Sequence, residues 1–209
     1  MNLALILASA SPARRSTLES AGVQPQVIVS DVDEPATVAR AEQSLGTTLA
    51  SDEVALLLAR AKCEDVAGAT DADALVLGCD SVLEFGGETF GKPADAAQAV
   101  ARWQRMRGRS GTLHTGHWLI DARARSTGAT FGVVASTVVH FADLSDAEIE
   151  AYVATGEPLR VAGAFTIDGL GGPYVRRIEG DHHNVVGLSL PVLREMCADI
   201  GVTFDQLRD

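Results

Sequence analysis

Apolar and polar positions along the chain switch repeatedly between the period of a strand and that of a helix. Leu3–Leu7 is an apolar run of strand length. It feeds into Ser9, Ser11 and Pro12. Ser11 suits a helix N-cap and Pro12 the first helical position, which predicts a helix running to about Gly22. Val27–Val32 reads as a second strand, and 36–67 has helical periodicity broken near Gly46 and ended at Gly68. Ala74–Cys79 reads as a short apolar strand that stops at Asp80. Ser81–Phe90 then reads as a hairpin turning at Gly86-Gly87. A helix over Asp95–Arg107 is closed by Gly108, and Thr115–Asp121 and Phe131–Phe141 have strand composition. Ser145 and Glu148 form a capping box that opens a helix to about Thr155. Tyr174–Ile178 is a further strand and Leu190–Ile200 a last helix. Hairpins interleaved with crossover helices predict an α/β fold with a mixed twisted sheet and flanking helices.

Composition narrows the function. The 209 residues suit one domain, and 46% apolar with 22% charged residues is an ordinary globular balance. A net charge of -11 argues against a nucleic-acid or membrane-surface binder. No apolar run approaches the ~20 residues needed to span a bilayer, and no basic segment precedes the first one as in a signal peptide. Cys63, Cys79 and Cys197 are widely spaced and odd in number, which predicts reduced thiols and a cytoplasmic setting.

Against this acidic background Arg14 and Arg15 stand out. They fall in the first turn of a helix, where the dipole is already positive. A phosphate bound by the helix N–H groups, the hydroxyls and the guanidinium groups would account for them; so would a solvated surface pair. Asp80, beyond an apolar strand, is placed to hold a hard cation, to take a proton from water, or simply to end the strand. Asp31, Asp33 and Glu34 form an acidic loop that suits Mg²⁺ or Mn²⁺, or plain solvation. Lys62 and Lys92 are the only lysines of the chain, and Lys92 in Gly91-Lys92-Pro93 can serve as a point charge for phosphate. His114 and His117 are three apart in a strand and point to opposite faces, which disfavours a shared metal. His182-His183 reads as a solvated loop pair. Gly169–Gly172 lacks the surrounding unit of a dinucleotide fingerprint, and no P-loop is present.

In this order and spacing, several segments resemble the Maf family of nucleoside triphosphate pyrophosphatases. They are LILASASPARRSTLESAG at 5–22 with Leu3 and Ala4 before it, VSDVDE at 29–34, LARAKCEDVA at 58–67 and VLGCDSV at 76–82. GETFGKP at 87–93, GEPLRVAGAFTIDGLGG at 156–172 and IEGDHHNVVGLSLP at 178–191 continue the pattern. The resemblance covers 1–209 as one domain. It implies an elongated structure of two lobes around a central cleft, similar to inosine triphosphate pyrophosphatases. It further implies hydrolysis of a nucleoside triphosphate, normal or modified, to monophosphate and pyrophosphate with Mg²⁺ or Mn²⁺. By matched position, Ser9, Ser11, Arg14, Lys62 and Lys92 would bind phosphate, Glu34 and Asp80 would serve the metal, and Asp80 would accept the proton. Substrate choice in the family follows positions that here hold Ala13, Ser81 and Asp168, a set matching neither the dTTP/UTP nor the 7-methyl-GTP pattern. The family also implies a homodimer and a link to division control. The alternative is a nucleotide-binding regulator of septation with little turnover.

Overall fold

The computed structural model describes residues 3–71, 73–124, 126 and 128–208. Met1 and Asn2 of the opening segment lie outside them. The elements run β1 (Leu5–Ala8), α1 (Pro12–Ser20), β2 (Gln26–Val27), α2 (Glu34–Leu45), α3 (Ser51–Gly68), β3 (Leu75–Phe85) and β4 (Glu88–Phe90). They continue with α4 (Ala96–Met106), β5 (Ser110–Asp121), β6 (Thr130–Phe141), α5 (Asp146–Ala154), β7 (Val175–Glu179), α6 (His182–Val186) and α7 (Leu190–Asp199). Seven strands form one mixed sheet in the order β2-β1-β3-β5-β6-β7, with β4 added to β3. β1 is parallel to both its neighbours, and the other pairs are antiparallel.

Three expectations from the sequence are corrected. Asp80 does not end a strand: β3 is continuous through Leu75–Phe85, with Asp80 opposite Gly116 at its middle. The strand expected over Val27–Val32 is only Gln26–Val27, because the chain then leaves the sheet for the Asp33 cap of α2. His182-His183 does not sit in a loop but opens α6, capped by the Asp181 side chain. The remaining elements form near their predicted places. The 36–67 segment does break at Gly46, whose φ of 69° gives α2 a left-handed cap.

Alternation along β3 and β5 explains where a site can form. On one face Leu75, Leu77 and Cys79 of β3 and Leu119 of β5 join a core with Leu18, Leu193 and Met196. Further along that face Leu83, Phe85 and Leu113 join a second core around Trp103, Phe141 and Tyr152. Between them the same face carries Ser81, Thr115 and His117, a polar strip separating two apolar packings. The opposite face carries α3. It can lie close only because Gly78 and Gly116 lack side chains: a Cβ there would fall 2.2 Å from the Ala59 carbonyl and 2.3 Å from that of Ala55.

The other edge of β3 is shared. β1 pairs with residues 75–78 and β4 with residues 83–85, so residues 79–82 form an opening in the sheet with no strand beside them on that edge.

Replacing Gly78 or Gly116 by Ala should destabilise the protein by about 1–3 kcal/mol or more, since backbone, not a flexible side chain, must give way. Urea unfolding measures this; a change below a few tenths of a kcal/mol would refute the close seat of α3.

Candidate active site

Arg14 projects from the first turn of α1 into the opening beside β3 and is only 9% exposed. Its Nε donates to the Gly187 carbonyl at 2.7 Å. Nη1 donates to Ser9 Oγ at 3.0 Å and to the Cys79 carbonyl at 2.8 Å, and Nη2 to Ser81 Oγ at 3.0 Å. Oxygen dipoles from three chain segments thus offset the charge that looked misplaced at a helix start. Four of the five guanidinium N–H groups are engaged, leaving one on Nη2. Arg15 instead makes an exposed pair with Glu19 at 2.7 Å.

The hydroxyls around Arg14 are ordered. Ser11 Oγ caps α1 by accepting from the Arg14 N–H at 3.4 Å. Ser9 Oγ accepts from Arg14 and from the Ser11 N–H at 3.2 Å, so its proton is what it has left to offer. Thr115 Oγ1 donates to the Asn184 carbonyl at 3.1 Å. The contact of 2.9 Å between Ser81 and Thr115 must therefore be donated by Ser81. Asn184 is fixed in turn, its Nδ2 donating to Thr137 Oγ1 at 2.9 Å and to the Leu113 carbonyl at 3.2 Å. A directed chain runs from Arg14 through Ser81 and Thr115 to α6. His117, beside it, donates from Nδ1 to the Thr115 carbonyl and accepts the Ser189 N–H at Nε2. Burial, helped by the Arg14 charge, pushes its pKa down to about 4, so the ring stays neutral.

On the α3 side of the opening, Lys62 Nζ lies 2.5 Å from Asp80 Oδ1 and 2.7 Å from Glu34 Oε1. Lys62 and Asp80 are largely enclosed, while Glu34 at the first position of α2 is half exposed. Burial raises the Asp80 pKa above the usual carboxylate range, outweighing the lowering by Lys62 and Arg14. One ammonium shared by two carboxylates keeps an N–H to spare. Asp33 is otherwise employed, its carboxylate capping α2 by accepting from the Ala36 N–H, and the Asp31 backbone N–H donates to the Asp65 carboxylate at 3.0 Å.

Ser9, Ser11, Arg14, Glu34, Lys62, Asp80 and Ser81 therefore gather around the opening. Lys92 and Asp168 do not touch them. Lys92 is exposed beside Gly91, whose carbonyl accepts from Gly163 at 3.2 Å and Arg102 at 2.6 Å. Asp168 is exposed and accepts from Thr166 Oγ1. Ala164, between these segments, takes a left-handed φ of 64°, held by the Trp103 indole N–H on its carbonyl at 2.8 Å. Ala13 is half buried, its carbonyl accepting from Thr17. His114 and His117 do face opposite ways, His114 meeting Glu84 and Ser136. Thr115, Asn184 and Gly187 were not singled out by sequence reasoning, and His117 was weighed only as a metal ligand; the polar breaks in the apolar alternation of β5 were the signal for Thr115 and His117.

The family model described as "Maf-like protein" matches residues 4–200. The chain belongs to the Maf-like family. Curated Maf-like relatives include a protein of Salinispora tropica, 58% identical over 204 residues, covering 96% of this chain and 85% of that one. Another, from Leifsonia xyli, is 52% identical, covering 97% and 95% of the two chains. A third, from Streptomyces coelicolor, is 51% identical, covering 97% and 93%. All three are named nucleoside triphosphate pyrophosphatase. Among solved structures, the Staphylococcus aureus Ham1 protein aligns over 66% of this chain and 72% of its own at 13% identity, with a TM-score of 0.35. Within this Maf-like chain, the described residues include no helix long and apolar enough to cross a membrane. Its three cysteines are buried and unbridged.

Two stability predictions follow from the geometry. Between the ordinary value of 3.8 and the raised native value, the folded Asp80 holds more proton than the unfolded one, so its contribution to stability falls as pH rises through that window. Asp80→Asn should match or exceed the parent in urea unfolding at pH 7 and lose that advantage near pH 3; a destabilised variant at pH 7 would contradict it. Ser81→Ala should cost about 1–3 kcal/mol by stripping a buried acceptor from Arg14. Combined with Thr115→Val the costs should be less than additive, which a double-mutant cycle reads directly.

Proposed function

We propose that the protein hydrolyses nucleoside triphosphates to a monophosphate and pyrophosphate. The observation that carries this reading is the unused hydrogen-bonding capacity at the opening. Ser9 Oγ, Arg14 Nη2 and Lys62 Nζ each retain a donor, and beside them stands one enclosed carboxylate with a raised proton affinity. Donors converging on one space fit the oxygens of a polyphosphate, and a carboxylate of raised pKa fits a water that must lose a proton. The names of the Maf-like relatives support the same activity.

In this reading Ser9, Arg14 and Lys62 hold the phosphates and offset charge as it moves onto the leaving pyrophosphate. Lys92 and Ser11 would add to them. Asp80 takes the water proton at its oxygen opposite the Lys62 contact, and Lys62 keeps that carboxylate oriented. Glu34 and Asp80 are the residues that would hold a divalent cation. Two hard oxygen donors, with further positions left to phosphate and water, fit Mg²⁺ or Mn²⁺ better than a full protein cage would. The cation would neutralise phosphate charge. Two carboxylates already balance Lys62 and Arg14, so the added negative charge of a triphosphate calls for such a counter-ion. A binding protein of septation with little turnover would have no use for an enclosed carboxylate aimed at water, which favours the enzyme.

Base choice rests on Ala13, Ser81 and Asp168 in different ways. Ala13 and Asp168 would bear on the base from separate segments of the chain, and a small residue at 13 would leave room for an enlarged or modified base. Ser81 acts through Arg14, because its hydroxyl is already taken up by Arg14 and Thr115.

A panel of normal, methylated and deaminated triphosphates, assayed with Mg²⁺ and Mn²⁺, tests the proposal through its products. Monophosphate and pyrophosphate are expected, with activity abolished by a chelator and Asp80→Asn slower by about 10²–10⁴-fold. Diphosphate with inorganic phosphate, or an Asp80→Asn variant as fast as the parent, would overturn it.

A further inference from the structure

A second cationic site lies at the far corner of the sheet, on the face opposite the Arg14 chain. Ser110 of β5, His140 of β6 and Arg177 of β7 stand in one row across three strands by register. Their neighbours Val139 and Ile178 face the apolar core, so the row faces away from it. Thr137, which anchors Asn184, shares the face of Val139, and the Arg14 chain is therefore on the opposite side of the sheet. Ser110 is also six residues from Gly116, the partner of Asp80, or about 20 Å along the strand.

A β-bulge brings two arginines to the same place. His140 pairs with Arg177 but Phe141 pairs with Val175, leaving Arg176 as the extra residue of β7. In a regular strand Arg176 and Arg177 would face opposite ways; the bulge lets both line one cavity of about 400 Å³ with Arg109, His140, Ser110 and Gly108. Arg109 lies over the Phe85 ring, its guanidinium carbon 4.7 Å from the ring centre. Glu179 pairs with His140 at 2.9 Å and with Arg177 at 3.0 Å, whereas Arg109 and Arg176 make no ion pair among the described residues. Asp143 approaches from behind Gly108, at the rim.

Three arginines and a histidine line one cavity on a chain of net charge -11, and among the described residues only Arg177 of the three arginines has an ion-pair partner, so the cavity keeps unused cationic donors. We propose that this cavity binds a small phosphoryl anion of the size of pyrophosphate. Planar guanidinium groups match phosphate oxygens two at a time, and a cavity of about 400 Å³ bordered by Asp143 and Glu179 suits a small anion, not a nucleic-acid backbone. The site does not depend on the catalytic reading and would persist if that reading failed.

Calorimetric titration of the full chain with inorganic pyrophosphate tests it, alongside amide chemical shifts. The expected result is a site that the Arg176→Ala/Arg177→Ala variant weakens at least tenfold and that Arg109→Ala weakens independently. Gly108, Ser110 and His140 amides of the unaltered protein should shift on titration, and Arg15→Ala should bind as the parent does. Unfolding curves establish that each variant remains folded. Unchanged stoichiometry and affinity in the double variant, or amides at 108–110 that do not move, would overturn the proposal, including the case in which all pyrophosphate binds beside Asp80.

Discussion

The geometry of the site depends first on how closely α3 lies against the sheet. Gly78 and Gly116 face each other's neighbours across β3 and β5, and both admit the α3 backbone where any Cβ would collide with a carbonyl. Lys62 sits on that helix within one turn of Ala59 and Cys63. Moving α3 outward by the width of a methyl group would lift the ammonium off Asp80 and leave an enclosed carboxylate without its counter-charge, a far costlier state than the pair itself. Two absent side chains thus set the length of one ion pair.

On the other side of the sheet the same strands are held by a different economy. Apolar side chains pack two separate cores, and the strip between them is polar because Ser81, Thr115 and His117 find partners in α1, α6 and the start of α7. Arg14 joins these elements: one guanidinium draws together residues 9, 79, 81 and 187. Lys92 and Asp168 stand apart from this network, on segments tied together by the Gly163 N–H donating to the Gly91 carbonyl.

Much of this was legible in the sequence where a local rule sufficed. Caps such as Ser11 with Pro12, and Ser145 with Glu148, mark helix starts through contacts within four residues, and they form as predicted. Asp80 was misread as a strand end because a polar pair interrupting an apolar run normally signals exit from the sheet. Its partners Lys62 and Arg14 are 18 and 66 residues away in the sequence, and nothing local announces them. α6 escaped notice for the opposite reason: five residues are too few to show a period. Family order singled out Ser9, Arg14, Glu34, Lys62 and Asp80, which do converge. It could not show that Ser81 is engaged by Arg14 or that Thr115 and Asn184 stand behind it.

The opening in β3 has a consequence for how copies of the chain meet. Unpaired strand edges invite pairing with a second molecule, and an apolar strand such as VLGCDSVLEF is the kind that templates aggregation. Here the stretch without a neighbouring strand is only residues 79–82, walled at both ends by β1 and β4, and its Cys79 carbonyl is already occupied by a charged guanidinium. A charge buried in the edge disfavours a neighbouring sheet, which would have to cover it without a counter-charge. The arginine that fills the opening is also what keeps it closed to another copy of the same strand.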